Sequence, residues 1–252
     1  VKLQAIRVGG LGITAIPCEV YALTGLKIKA ASPLKTTMNI ELANGEDGYI
    51  PPPEQHAFGG YTTWACRSAG LEVQAEPKIV NAVLGLLEEV SGAKRQAVTP
   101  AQGRYAGVIL DARPQAYWRL EDMSGPVAAD TVGHEHEARF EPGVAFYLQG
   151  PDSGEFSGAA VNRCAHFAGG RLVTDWKPSS ADYTIEFWFW NGLPNDAREV
   201  TGTLCALGAD RLALGGQRNG WNGRLVRSRG DDWDNAAASA TAIPVKSWNH
   251  LA

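Results

Sequence analysis

Tyr183-Thr184-Ile185-Glu186-Phe187-Trp188-Phe189-Trp190 is the stretch on which the fold of the second half of this chain turns. Its residues are mostly aromatic or β-branched. With a period of two, Ile185, Phe187 and Phe189 share one face while Glu186, Trp188 and Trp190 share the other. Large apolar groups on both faces mean that the second face is either covered or binds something. Working outward, further short apolar runs at 116–120, 160–167, 203–207, 211–214 and 224–228 are separated by glycine turns, with no helical period between them. Regular short strands of this kind predict an all-β antiparallel sandwich.

The composition divides at the same place. Residues 1–104 hold one of eight Trp and one of five His, and the remainder hold the rest. Ten Lys/Arg face nine Asp/Glu before residue 105, and thirteen face eighteen after it. Two compositions predict two domains, and 92–104, small, charged and without apolar period, reads as the linker between 1–91 and 105–252. A hydrophobic content of 44% excludes disorder and permits a sizeable core. A net charge of −4 with no basic run argues against nucleic acid as a partner. No apolar run reaches the ~18 residues of a transmembrane segment.

The first half predicts an α+β arrangement. Residues 2–9 and 11–16 form a hairpin about Gly9-Gly10; 19–31 has roughly helical spacing closed by Pro33; and 37–43 is another strand. The glycine- and proline-rich stretch 44–53 is a loop, and 77–90 is a strongly amphipathic helix. Four Cys without CxxC spacing read as buried free thiols rather than a zinc ribbon or redox site. The pattern starts in mid-strand at Val1 and a strand is beginning at 248–252, so the sequence reads as cut at both ends, with any signal peptide upstream.

Two segments carry chemistry. In Ile13-Thr14-Ala15-Ile16-Pro17-Cys18-Glu19 a strand hands a carboxylate to the head of a helix bearing Thr24-Gly25, and a loop then reaches Tyr49. A carboxylate so placed is held rigidly near the positive helix end, where it suits a hard or borderline cation; the same position equally suits a first-turn acid stabilised by the helix dipole. Residues 1–91 resemble the end of the catalytic domain of neutral/alkaline ceramidase-like hydrolases. The resemblance implies that Glu19 and Tyr49 are metal ligands of a zinc-dependent amide hydrolase acting on a lipid amide. It also implies that the histidine ligands lie upstream of Val1, so that this chain alone is inactive. The family's later Tyr- and Gln-rich stretch departs here at 54–64, and His56 within it reads as a loop histidine.

The second half resembles the LamG-like, concanavalin A-like jelly-roll family through Ala116-Tyr117-Trp118-Arg119-Leu120-Glu121, Ala165-His166-Phe167-Ala168-Gly169, residues 183–190 and Trp248-Asn249-His250-Leu251-Ala252. The resemblance implies a jelly roll, incomplete at its C-terminus, that binds a glycan or a cell-surface protein, in some members with calcium. Exposed aromatics such as Trp221 and Trp233 are the candidates for stacking on sugar rings, with packing as the alternative. Asp231, Asp232, Asp234 and Asn235 offer oxygens suited to calcium, although such a loop also serves as a solvated turn. His134-Glu135-His136 lacks a third metal ligand nearby, and Arg229-Gly230-Asp231 matches an adhesion tripeptide by letter only. The expectation is a secreted, extracellular or periplasmic, multidomain hydrolase with a binding module. The alternative is a non-catalytic adhesion or structural protein in which the jelly roll is a spacer.

Overall fold

In the computed structural model, which describes residues 1–133, 136–180 and 182–252, strand outweighs helix, 33% against 20%. The chain divides into two compact units, Val1–Lys177 and Pro178–Ala252.

In the first unit, Gly9 at φ +60° turns the chain between β1 (Gln4–Val8) and β2 (Leu11–Ile16), which pair antiparallel. After β3 (Glu19–Val20), helix α1 (Ala22–Ala31) carries the chain back, so that β4 (Thr36–Glu41) lies parallel to β2. The expected helix thus begins three residues late, because Glu19 and Val20 pair with β5 (Tyr49–Ile50) instead. Helix α2 (Ala75–Ser91) packs on β1 and β2. Its buried Ile79, Val83, Leu84 and Leu87 recur at helical spacing and join Ile16, Cys18, Ile28 and Ile50 in one core. Each fully buried aliphatic side chain there contributes roughly 1.5–3 kcal/mol. Gly12 permits the approach: a Cβ on it would lie 3.1 Å from Cδ2 of Leu87 and 2.9 Å from Cδ1 of Leu34. Gly92, at φ +71°, ends α2 by donating its N–H to the Glu88 carbonyl at 2.9 Å.

The buried face of β2 carries Gly12, Thr14 and Ile16, not the more apolar set Leu11, Ile13 and Ala15. Thr14 is accommodated because its hydroxyl donates to Oδ1 of Asn39 at 2.7 Å, while Nδ2 of Asn39 donates to the Gly25 carbonyl at 3.0 Å. The sheet therefore turns Ile6, Val8, Met38 and Ile40 outward, with Val8 60% exposed.

Later in this unit come α3 (Arg104–Asp111), β6 (Val127–Ala128), β7 (Ala138–Phe140), β8 (Val144–Gln149), the single turn α4 (Gly154–Ser157), β9 (Arg163–Phe167) and β10 (Leu172–Thr174). Strands order as β10-β7-β6 and β8-β9, all antiparallel, around a core of Ala128, Ala138, Phe140, Val144 and Phe146. Two expectations are corrected here. Residues after 104 are not free of helix, since α3 is held by a Tyr105–Phe156 ring contact at 4.9 Å and by the Gly103 N–H donating to the Phe156 carbonyl at 3.0 Å. Residues 116–120 form only a single bridge, Trp118 to Asp130, because Leu120 takes a φ of +58° that ends an extended run.

The second unit contains β11 (Phe187–Asn191), a four-stranded antiparallel meander of β12 (Val200–Leu207), β13 (Asp210–Gly215), β14 (Arg224–Arg229) and β15 (Asp232–Ala242), and β16 (Ser247–Leu251). β11 and β16 pair antiparallel, Trp188 opposite His250 and Trp190 opposite Trp248. The chain is thus rich in sheet, with several antiparallel sheets and few helices. No helix among the described residues is long and apolar enough to cross a membrane.

Candidate functional site

Glu19 and Tyr49 meet on a sheet of two strands, each two residues long. β3 and β5 pair parallel with Glu19 in register with Tyr49, and the Glu19 N–H donates to the Gly48 carbonyl at 3.1 Å. Two further ties set the geometry. The Asp47 N–H donates to the Pro17 carbonyl at 2.6 Å, and the Val20 N–H donates to Oε2 of Glu41 at 2.8 Å. Gly48 is required between them: its φ is +88°, and a Cβ would collide with the Ser68 carbonyl. Parallel neighbours in register project their side chains to the same face, which brings the carboxylate and the phenol together.

Hydrogen bonding to the Glu19 carboxylate, then partial burial, then hydrogen bonding to the Tyr61 hydroxyl push the Tyr49 phenol well above its ordinary range. Tyr61 also meets Tyr49 edge to face, with ring centroids 5.4 Å apart. Tyr21, at the head of α1, shares a 2.8 Å hydrogen bond with Thr62 beside Tyr61. Sequence reasoning missed Tyr61; its signal was the glycine pair Gly59-Gly60, both at positive φ, which turns the chain back toward Tyr49.

The donor set fits part of a zinc shell. A carboxylate oxygen and a phenol oxygen on one face are two of the four donors that a tetrahedral zinc shell takes. Among the described residues no group of three His, Cys, Asp or Glu converges. His56 sits half-buried in the 53–58 turn, where its carbonyl accepts the Gly59 N–H at 3.3 Å. His134 and Glu135 lie outside the described residues.

All four cysteines are free thiols. Cys18, one residue before Glu19, is buried; burial, reinforced by the charge of Asp47, pushes its thiol up to about 11 and makes it inert. Cys66 departs from the buried expectation: it is exposed and its thiol is lowered by the hydrogen bond with Ser68.

In the second unit Trp221 is buried, 6% exposed, and its Cβ lies where a side chain on Gly215 would have to go. Trp233, half-buried, has its ring centroid 6.2 Å from that of Trp221 and lies under Arg211 at 5.9 Å. Asp231 pairs with Arg211 at 2.6 Å, and Asp232 accepts from the Asn235 side chain at 3.0 and 3.1 Å. A different aromatic row is more open. Trp188 and Trp190 are 37% and 50% exposed, Trp188 stacks on His250 at 5.0 Å, Trp190 meets Trp248 at 5.8 Å, and Nε2 of His250 lies 3.1 Å from Glu186.

Comparison of the chain with protein-family profiles, with curated proteins and with solved structures finds no match.

Proposed function

We propose that this chain belongs to a secreted zinc-dependent amide hydrolase of the neutral/alkaline ceramidase-like kind, to which it contributes the carboxylate and phenol ligands, joined to a LamG-like jelly-roll module that binds glycan. The observation that carries the reading is the pairing of Glu19 with Tyr49, thirty residues apart in sequence and adjacent on a two-residue ladder. Zinc held there would supply a Lewis acid that polarises an amide carbonyl. Glu19 and Tyr49 would hold it, Tyr61 would orient the Tyr49 hydroxyl, and imidazole ligands would come from residues before Val1. The outward apolar side chains Ile6, Val8, Met38 and Ile40 support this, since such a patch marks a face that packs against more protein.

The binding module is supported by the direct pairing of two of the four segments that resemble the jelly-roll family, 183–190 and 248–252, through strands β11 and β16, and by the aromatic row they expose. Flat rings flanked by Glu186 and His250 suit the apolar faces and hydroxyls of a sugar. Trp233 offers a second stacking surface; Trp221 stands behind it as support.

The test is substitution in the longer protein. Glu19→Gln and Tyr49→Phe should each remove bound zinc and hydrolysis of an N-acyl lipid amide while leaving the circular dichroism unchanged. Zinc content and hydrolysis at the original level in Glu19→Gln would overturn the reading.

A further inference from the structure

Residues 57–66, Ala57-Phe58-Gly59-Gly60-Tyr61-Thr62-Thr63-Trp64-Ala65-Cys66, run for ten positions without a charged side chain, in a chain of which 20% is charged. Three large aromatics of this stretch stand in solvent. Phe58 is 39% exposed, and Tyr61 and Trp64 are each 63% exposed, more than any other large hydrophobic residue among those described.

The turn that carries them is tied down beneath them. The Gly59 N–H donates to the His56 carbonyl at 3.3 Å, and the Thr63 and Trp64 N–H groups donate to the Gly60 carbonyl at 3.0 and 3.2 Å. The Thr63 hydroxyl donates to that same oxygen at 3.0 Å. Thr62 shares its hydrogen bond with Tyr21, and the Tyr61 ring lies edge to face on Tyr49. Polar groups of the turn are thus spent on one another and on the body of the unit, while the aromatic groups are left outside.

The chemistry of the stretch selects its partner. A protein interface surrounds its apolar centre with a polar rim that pairs with the partner, and ten uncharged positions offer no charge for such pairing. Trp and Tyr, each an apolar ring with one polar atom, are the side chains that settle at the headgroup level of a bilayer. A backbone already hydrogen-bonded loses little on entering that layer. Charge resumes on both sides, at Glu54 and Arg67, which limits the depth of entry.

We propose that residues 57–66 are a docking surface for a lipid–water interface, entering the headgroup layer of a zwitterionic bilayer through Phe58, Tyr61 and Trp64. The proposal goes beyond the hydrolase reading and stands without it, since docking uses neither zinc nor Glu19. The contact of Tyr61 with Tyr49 sets the docked surface beside that pair.

The test is co-sedimentation of the whole chain with phosphatidylcholine vesicles, with and without phosphatidylserine, at low and high salt. The chain should bind phosphatidylcholine alone, with less than about a twofold change on adding phosphatidylserine or salt, because no charge drives the contact. Phe58→Ser and Trp64→Ser should each lower the partition coefficient about tenfold. Glu19→Gln should leave it unchanged, which separates docking from the zinc reading, and so should Val8→Ser on the outward face of β1. A polarity-sensitive fluorophore on Cys66, the exposed thiol two residues beyond Trp64, should shift to shorter wavelength when vesicles are added, which locates the contact even if a variant fails to fold. A chain that stays in solution beside phosphatidylcholine vesicles, as a surface made for another protein would, would overturn the proposal. So would binding that needs phosphatidylserine, binding retained in Trp64→Ser, binding lost in Glu19→Gln or Val8→Ser, or a Cys66 fluorophore unaffected by vesicles.

Discussion

Glu19 and Tyr49 stand directly opposite each other on a parallel ladder only two residues long, where the carboxylate pushes the phenol above its ordinary range. The ties that fix the pair are backbone contacts and one side chain, Glu41, whose Oε2 accepts the Val20 N–H. The Pro17 and Gly48 carbonyls accept from the Asp47 and Glu19 amides, and the positive φ of Gly48 lets the loop pass under Ser68.

The Glu19 carboxylate beside it gives Tyr49 a signature in alkali. A phenol raised in the folded state binds more protons than the unfolded chain does above its ordinary pKa of about 10. Its contribution to stability is therefore complete below about pH 10 and is lost as pH rises beyond it. Tyrosinate absorbance should show one phenol ionising late, and Glu19→Gln should bring that ionisation to lower pH. An unchanged titration would mean that the hydrogen bonding to Glu19 is absent in solution.

Gly48→Ala should disturb the pair without touching either side chain. A φ of +88° alone costs a non-glycine residue roughly 1–3 kcal/mol, and contact with the Ser68 carbonyl adds to that. Urea unfolding measures the loss, and the late Tyr49 ionisation should disappear with it.

Trp221→Ala and Trp233→Ala should separate packing from binding. Trp221 is buried, so its truncation should cost about 3–5 kcal/mol in chemical unfolding. Trp233→Ala should cost far less and should weaken glycan binding on an array. Trp190→Ala, on the open row, should weaken it too at little cost in stability. Equal stability losses at 221 and 233 would contradict the assignment.

Acid stability should depend on α2. Hydrogen bonds from the Arg95 side chain and amide, with its charge, hold Glu88 down to about 2 from an ordinary 4.5. A lowered carboxylate stabilises the fold above its unfolded pKa, and the benefit is lost as pH falls from about 4.5 towards 2. Arg95→Gln should raise the Glu88 pKa in a carboxyl NMR titration and flatten that dependence.

The long signals were legible in the sequence. The period of α2, the Gly9 turn and the alternation at 183–190 each span enough residues for a pattern to exceed chance, whereas Glu19 and Tyr49 were singled out through a family resemblance. The shorter features were not. β3 and β5 have two residues each, below any periodic window, and their pairing depends on Gly48 and on the Asp47 to Pro17 hydrogen bond. The inward face of β2 defeated a reading by hydropathy because Asn39 satisfies Thr14, a contact with a strand 25 residues away. Trp221 and Trp233 read alike as letters, and only the glycine at 215 makes room for one of them inside. Helix α3 was hidden by Gly107 and by its brevity, and is held through Tyr105 by Phe156, just over fifty residues on.

The most direct measurement of the central claim is zinc calorimetry on this chain, with and without added imidazole, for the unsubstituted protein, Glu19→Gln and Tyr49→Phe. Two oxygen ligands leave half of a tetrahedral shell open, so zinc should bind weakly, imidazole should strengthen it, and either substitution should remove the effect. Zinc binding indifferent to both substitutions, or submicromolar binding without imidazole, would contradict the account.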